Sequence, residues 1–409
     1  MERPKKIHAE VKFPLILIHT PFGLEFFNKV AATKAAKLYA KVNVFIMPLI
    51  TALAIFLIVG SLMVMFSNSA AREGVRSVGP QSNLLIPGLN PYLPWTYGWL
   101  ALVITIIIHE VGHGIVARVH GIPVESTGIV LILGIPIGAF VNIEREQLMK
   151  TTLRQKSAIL TAGPLNNMIL AAICLLALYL VVSTLSPLPT RGETHIGVLV
   201  MSVNDGSLAK SVGLSQGSVI KSIAGKTLHS VEDLNQILRS SLGNKVNLTW
   251  QDKNGKETTR GAMLPEIVQG NKAILGVTIT NVTPDPASVL QKYKSAFNKS
   301  PISLLLPPTM AQGNVPFSDL MTPKYESKIL GSSFPIFANI LFWLWFINFN
   351  VGIFNALPIG PLDGGQLYTS LIENKTSSRT GKIKNAPLLL TVIMTTIVII
   401  SLFLPWVIR

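Results

Sequence analysis

Five stretches of this 409-residue chain carry no Asp, Glu, Lys or Arg: 42–71, 77–109, 157–190, 329–362 and 385–408. Crossing the hydrocarbon of a bilayer takes about 20 apolar residues in helical form. Each stretch is long enough, with apolar cores at roughly 44–66, 97–119, 160–184, 335–357 and 387–408. Charged residues make up 13% of the chain and apolar ones 49%, against about 25% charged in a soluble domain. So few charges cannot cover the surface of several soluble domains, and disorder needs the opposite composition. The expected class is a polytopic α-helical membrane protein with about five transmembrane helices. Trp95, Tyr97 and Trp99 mark an interfacial belt where the second span begins.

The net charge of +15 fits lipid-facing loops better than nucleic acid, and no nucleic-acid partner is expected. Residues 1–41 hold eight Lys or Arg against three Glu, and 373–386 hold four against Glu373. Basic loops stay on the cytoplasmic side and face anionic lipid. Five crossings then put 1–41, 120–156 and 358–386 inside, and 67–96 and 185–333 outside. The two most basic segments fall on the same side. The expected location is the plasma membrane, multi-pass, with a basic cytoplasmic segment 1–41 and membrane cores at 42–184 and 334–409. The first six residues lack the apolar run of a cleaved leader, so insertion is expected to rely on internal spans. Cys174 is the only cysteine, which excludes internal disulfides and a Cys-rich zinc module.

The uncharged stretch 126–143 is short for a span. Gly128, Gly134, Pro136 and Gly138 argue for two β-rich arms around Gly134-Ile135-Pro136. Such backbone survives at membrane depth only when protein or a watery cavity covers it. The texture of 193–265 is different again. Strands are expected at 196–203, 219–223, 246–251 and 257–263. Ser230 to Asp233 reads as a helix start opening 231–241, and Asp252 to Gly255 as a hairpin turn. Six prolines between 284 and 316 make 266–333 read as irregular.

The second span contains His109-Glu110-Val111-Gly112-His113. Two histidines four apart share one helix face and can hold one zinc ion. Glu110 lies about 100° around the helix from His109. It is placed to reach a water on the metal rather than to join the ligands. In a soluble helix this pattern is commonly a solvated face, but ionisable groups inside spans are rare and usually functional. Catalytic zinc takes three protein ligands and leaves one position open. Asp363 ends a long uncharged run, behind Pro358 and Pro361, which stop a plain helix. It is the expected third ligand. Topology checks this: if 126–143 crossed the bilayer, Asp363 would emerge opposite the histidines. The site therefore predicts that 126–143 does not cross, and that the proline break turns the chain back toward the metal. The third span carries Gly163-Pro164-Leu165-Asn166-Asn167. Helix packing by Gly163 and orientation of a substrate carbonyl by an asparagine are both open there.

HExxH in one span, Gly-Pro-x-x-Asn in the next and Asn-x-x-Pro-x-x-Pro-x-Asp-Gly after a later one resemble the site-2 protease family of intramembrane zinc metalloproteases. The resemblance covers roughly 97–184 and 335–370. It implies one zinc per chain on His109, His113 and Asp363, with Glu110 as catalytic base. It implies substrate or transition-state roles for Asn167 and Asn355. It also implies that 126–143 is a membrane-embedded, re-entrant β-hairpin able to pair with unwound substrate. Residues 193–265, within an extracytoplasmic region 186–330, look like an inserted PDZ domain. Gln216-Gly217-Ser218 stands there where Gly-Asp is usual. Single-span membrane proteins are the implied substrates, cut by regulated intramembrane proteolysis. Two rival expectations remain: an inert PDZ-bearing scaffold, in which Glu110 does nothing, and a metal or proton transporter, which needs polar positions spread along a path.

Overall fold

The computed structural model of the protein describes residues 7–133, 135–188, 197–252, 255–266, 274–281, 286–299, 301–376 and 385–408. The chain divides into two compact units. One holds 1–183, 305–310 and 333–409; the other holds 184–304 and 311–332.

The first unit opens with an element the sequence analysis gave no structure. Strands β1 (His8–Lys12) and β2 (Leu15–Thr20) precede two short helices, α1 (Leu24–Ala31) and α2 (Lys34–Val42). Thr33 caps α2 by accepting a hydrogen bond from the Ala36 N–H. The first span, α3 (Met47–Ser67), has Pro48 in its first turn, where the missing N–H costs nothing. Helix α4 (Ser69–Val78) follows, capped by Asn68. The second span is α5 (Trp95–Val119). After it come β3 (Val124–Ile132) and β4 (Ile135–Ile143), then α6 (Arg145–Lys150) and the long third span α7 (Leu153–Ser183).

The 126–143 stretch is thus a β-hairpin beginning at Val124, and the five helices among the described residues that are long and apolar enough to cross a membrane do not include it. It is also not alone. The two hairpins form one antiparallel four-stranded sheet in the order β1-β2-β3-β4. Leu15 stands opposite Ile132 and Thr20 opposite Thr127, while Gly128 stands opposite Phe140. Strand β4 is one edge of that sheet and packs against α5.

The second unit contains β5 (Leu185–Pro187), β6 (Val198–Val203), α8 (Leu208–Ser211), β7 (Val219–Ile223) and β8 (Lys226–Thr227). It continues with α9 (Val231–Ser240), β9 (Lys245–Gln251), β10 (Glu257–Met263), β11 (Val277–Asn281), α10 (Pro286–Lys299) and β12 (Tyr325–Ser327). The main sheet runs β10-β9-β7-β6-β11, over a core that includes Val200, Ile220, Ile223, Leu234, Leu248 and Trp250. Two expectations change here. The sheet does not stop at 265, because β11 pairs with β6. Nor is 266–333 irregular throughout: Pro286 opens the 14-residue α10, since proline is tolerated in a first turn and breaks only a helix interior. The turn at 253–254 and residues 193–196 lie outside the described residues.

The chain returns to the first unit with α11 (Phe334–Asn355), α12 (Asp363–Thr376) and α13 (Ala386–Val407). Helices α5, α7 and α11 pack against one another in all three pairings. At the far ends of the first and last spans, α4 acts as a clasp. Arg72 donates to the Met65 and Phe66 carbonyls of α3 at 2.8 and 3.1 Å. Arg76 donates to the carbonyls of Pro405 and Ile408 at the end of α13. Both α3 and α13 therefore finish beside α4 and run in the same direction.

The start of α9 is held by a capping box. Ser230 accepts from the Asp233 N–H, and the Asp233 carboxylate accepts from the Ser230 N–H. Replacing Ser230 by Ala is expected to cost about 1 kcal/mol. Hydrogen exchange of the amides in 231–240 should quicken about fivefold, with the membrane-spanning amides unchanged.

Candidate metal centre

His109 and His113 are buried on one face of α5, their ring centroids 4.8 Å apart and their planes 76° apart. Each imidazole is held by its Nδ1. His113 Nδ1–H donates to the carbonyl of Ile159 on α7 at 2.7 Å. His109 Nδ1 lies 3.0 Å from the side-chain amide of Asn167, one helix over on α7. Fixing Nδ1 leaves both Nε2 atoms free, the arrangement seen when an outer partner orients a metal-binding histidine.

Both Nε2 atoms face the same oxygen. Asp363 Oδ2 is 3.0 Å from His109 Nε2 and 3.4 Å from His113 Nε2. Helix α11 ends at Asn355, the chain turns through Pro358 and Pro361, and Asp363 opens α12. The proline break does what the sequence required of it. The loop folds tightly because residue 364 is Gly: a Cβ there would lie 2.3 Å from the Ala356 carbonyl oxygen.

Three features fit a divalent ion of the zinc type. Ligands bonded to zinc at about 2.0–2.2 Å in a tetrahedron stand about 3.3 Å apart, close to the two distances above. The buried Asp363 Oδ2 has no assigned hydrogen bond and faces only the two Nε2 atoms, which is costly for a charged oxygen unless those rings are protonated or a cation sits between them. Finally, a Cβ at Gly163 would stand 2.4 Å from His113 Nε2 and 2.6 Å from His109 Nε2. The absence of that one carbon keeps the space before both nitrogens open. Sequence reasoning offered Gly163 for helix packing; its place is before the two Nε2 atoms.

Glu110 is tied to the sheet. Its Oε2 accepts the backbone N–H of Val141 on β4 at 2.9 Å, so the carboxylate joins the site to the sheet edge. Asn167 is fully buried and has an unpartnered Oδ1. When Nε2 binds a metal, Nδ1 carries the proton and needs an acceptor. Turning the amide by 180° supplies Oδ1 to that proton. The structure thus brings Asn167 to a ligand. Asn355 it does not: that side chain bonds back to the Val351 carbonyl of its own helix at 3.1 Å.

Two polar groups that sequence reasoning missed stand near these residues. Tyr39 of α2 donates to Asn166 Oδ1 at 2.8 Å, and Asn166 Nδ2 donates to the carbonyl of Ile108, next to His109. Burial pushes the Tyr39 phenol well above its ordinary range. Nothing in a lysine-rich amino-terminal segment signalled that contact. One turn before His109, Thr105 accepts a hydrogen bond from Asn348 of α11 at 2.8 Å, and both are fully buried.

The model of the family described as Peptidase family M50 matches residues 97–400. The chain belongs to this family. The match takes in every ligand candidate, and it agrees with the site-2 protease resemblance of the motifs. An uncharacterised protein of Methanocaldococcus jannaschii is 25% identical over 377 residues, covering 90% of this chain and 82% of its own. A Clostridium perfringens protein named "Putative zinc metalloprotease" is 26% identical over 306 residues, covering 68% of this chain and 87% of its own. An Arabidopsis thaliana protein named "Membrane-bound transcription factor site-2 protease homolog" is 30% identical over 166 residues, 40% of this chain and 30% of that one. The M50 chain described here is therefore a multi-pass membrane protein of a metalloprotease family.

If the space before the nitrogens is the metal's, Gly163→Ala should abolish zinc uptake, measured by elemental analysis of the purified protein. Gly138→Ala, whose Cβ would meet only Val130 at 3.8 Å, should bind as wild type does. Asn167→Leu should weaken zinc by about 10–100-fold in chelator competition.

Proposed function

We propose that this protein is an intramembrane zinc metalloprotease that hydrolyses peptide bonds within the transmembrane segments of single-span membrane proteins, in regulated intramembrane proteolysis. The observation that carries the reading is the meeting of His109, His113 and Asp363 with Glu110 beside them on the same helix. In this reading those three residues hold one zinc ion, and Glu110 is the catalytic base. Bound zinc supplies Lewis acidity, polarising the scissile carbonyl and acidifying water. Glu110 takes the proton from the attacking water and passes it to the leaving amine. Only Oε2 is engaged by the Val141 N–H, and a carboxylate has a second oxygen with which to take a proton. Asn167 holds His109 in the ligand tautomer, and Asn355 contacts substrate after turning away from its own helix.

A peptide bond in a regular helix is shielded by its own hydrogen bonds, so the substrate has to unwind locally. An unwound strand in lipid needs replacement partners. The β4 edge, which pairs with no further strand among the described residues, offers them by strand addition, and the Glu110–Val141 contact supports this by setting that edge next to the base. In this reading the sheet is re-entrant. Its hairpin tips, at Phe13 and Leu133, are both exposed large hydrophobics, which suits lipid better than water.

Segment 1–41 is cytoplasmic and 186–330 extracytoplasmic in the proposed plasma-membrane orientation. The second unit acts as a PDZ-like module. Its groove would lie between the β11 edge and α9, which pack together, and it limits access by substrates with bulky outer domains.

Cleavage of a panel of single-span proteins in proteoliposomes tests the reading. Glu110→Gln should keep its zinc and lose at least about 100-fold in rate. Asp363→Asn should lose both. Chelation should stop wild-type cleavage and added zinc restore it. Full activity of Glu110→Gln would sink the protease reading in favour of the scaffold. For the filter, deletion of 186–330 should let untrimmed substrates be cut as fast as trimmed ones, and unchanged selectivity would reject it.

A further inference from the structure

The loop that delivers Asp363 contains a broken rung of helix. Had α11 continued, the N–H of Gly360 would have bonded to the carbonyl of Ala356, four residues back. Pro358 and Pro361 prevent this, and the two groups part. Each is then taken up by a threonine from a different span. Thr51 of α3 donates its hydroxyl to the Ala356 carbonyl at 2.8 Å, sharing it with Met47 of its own helix at 2.9 Å. Thr391 of α13 accepts the Gly360 N–H at 3.0 Å. Thr51 is buried and Thr391 half-buried. Neither span contains a residue of the three motifs.

We propose that Thr51 and Thr391 are positioning residues for the third metal ligand: together they splice the broken rung and thereby hold the Asp363 carboxylate against the two imidazoles. The proposal rests on the metal reading of the site above. Its physical basis is the cost of an unpaired backbone group in a lipid-surrounded fold. Without the threonines, the Ala356 carbonyl and Gly360 amide would seek other partners, and the loop would rearrange. Asp363 lies only three residues beyond Gly360, so any such shift moves the ligand oxygen. The two spans that supply the threonines are themselves tied at their other ends by Arg72 and Arg76 of α4. Helices α3, α4 and α13 therefore form a bracket, closed at one end by arginines and gripping the ligand loop with threonines. This gives the first and last spans a direct part in the metal site, which no motif in them announces.

Valine matches threonine in shape but lacks the hydroxyl; serine keeps it. The full-length protein in lipid nanodiscs, wild type and as Thr51→Val, Thr391→Val, Thr51→Ser and Thr391→Ser, is titrated with zinc against a fluorescent chelator. Amide exchange across 354–364 is followed in the metal-free state. Each valine variant should bind zinc about 10–100-fold more weakly and exchange faster in that segment. The serine variants should match wild type in both readouts. Valine variants that bind zinc as wild type does would overturn the proposal while leaving the metal site intact. Serine variants as weak as the valine ones would overturn it too, by showing that the methyl and not the hydroxyl matters. A wild-type protein that takes up no zinc would instead overturn the metal reading, and this proposal with it.

Discussion

The structure turns on one meeting of side chains. Two imidazoles from the second span and a carboxylate from the start of α12, 250 residues after His113, converge to 3.0 and 3.4 Å. In water such a gathering of ionisable groups would be cheap; within an apolar helix bundle it has to be supported on every side. The support comes from α7. Ile159 and Asn167 hold the two Nδ1 atoms, and Gly163 between them withdraws its side chain from the space in front of the Nε2 atoms. One face of one helix thus orients both imidazoles and leaves room in front of them.

Around that point the fold is a set of concentric holds. Helices α5, α7 and α11 pack together, the proline-broken loop after α11 swings Asp363 back, and the first and last spans grip that loop. Outside this shell the amino-terminal helices add a polar tether, from Tyr39 through Asn166 to the backbone beside His109. The other unit has its own hydrophobic core and its own sheet.

Much of this was legible in the sequence because membrane depth makes charge informative. A His-Glu pair and a second His in an uncharged run stand out, and Asp363 stands out at the end of another. The requirement that they meet argued against a crossing at 126–143, and the glycines and proline of that stretch marked a hairpin. What stayed hidden lacked contrast. The apolar Leu15–Ile18 has no alternation to mark a strand, and it lies among lysines that read as a cytoplasmic tail. Its pairing with β3 is a long-range contact, which local pattern does not carry. Helix α10 was obscured by prolines whose effect depends on whether they begin a helix or interrupt one. Thr51 and Thr391 are ordinary residues in apolar spans. Their partners are backbone groups, and a sequence does not record which carbonyl a hydroxyl will face.

The contact between Glu110 and the Val141 amide has a consequence for timing. An N–H carries one hydrogen and serves one strong acceptor at a time. A strand laid along the open side of β4 competes for that hydrogen, and whichever partner wins, the other is released. Arrival of an extended chain and liberation of the carboxylate would then be a single exchange. If Glu110 is the base proposed above, an incoming strand would be felt by that carboxylate through a single hydrogen.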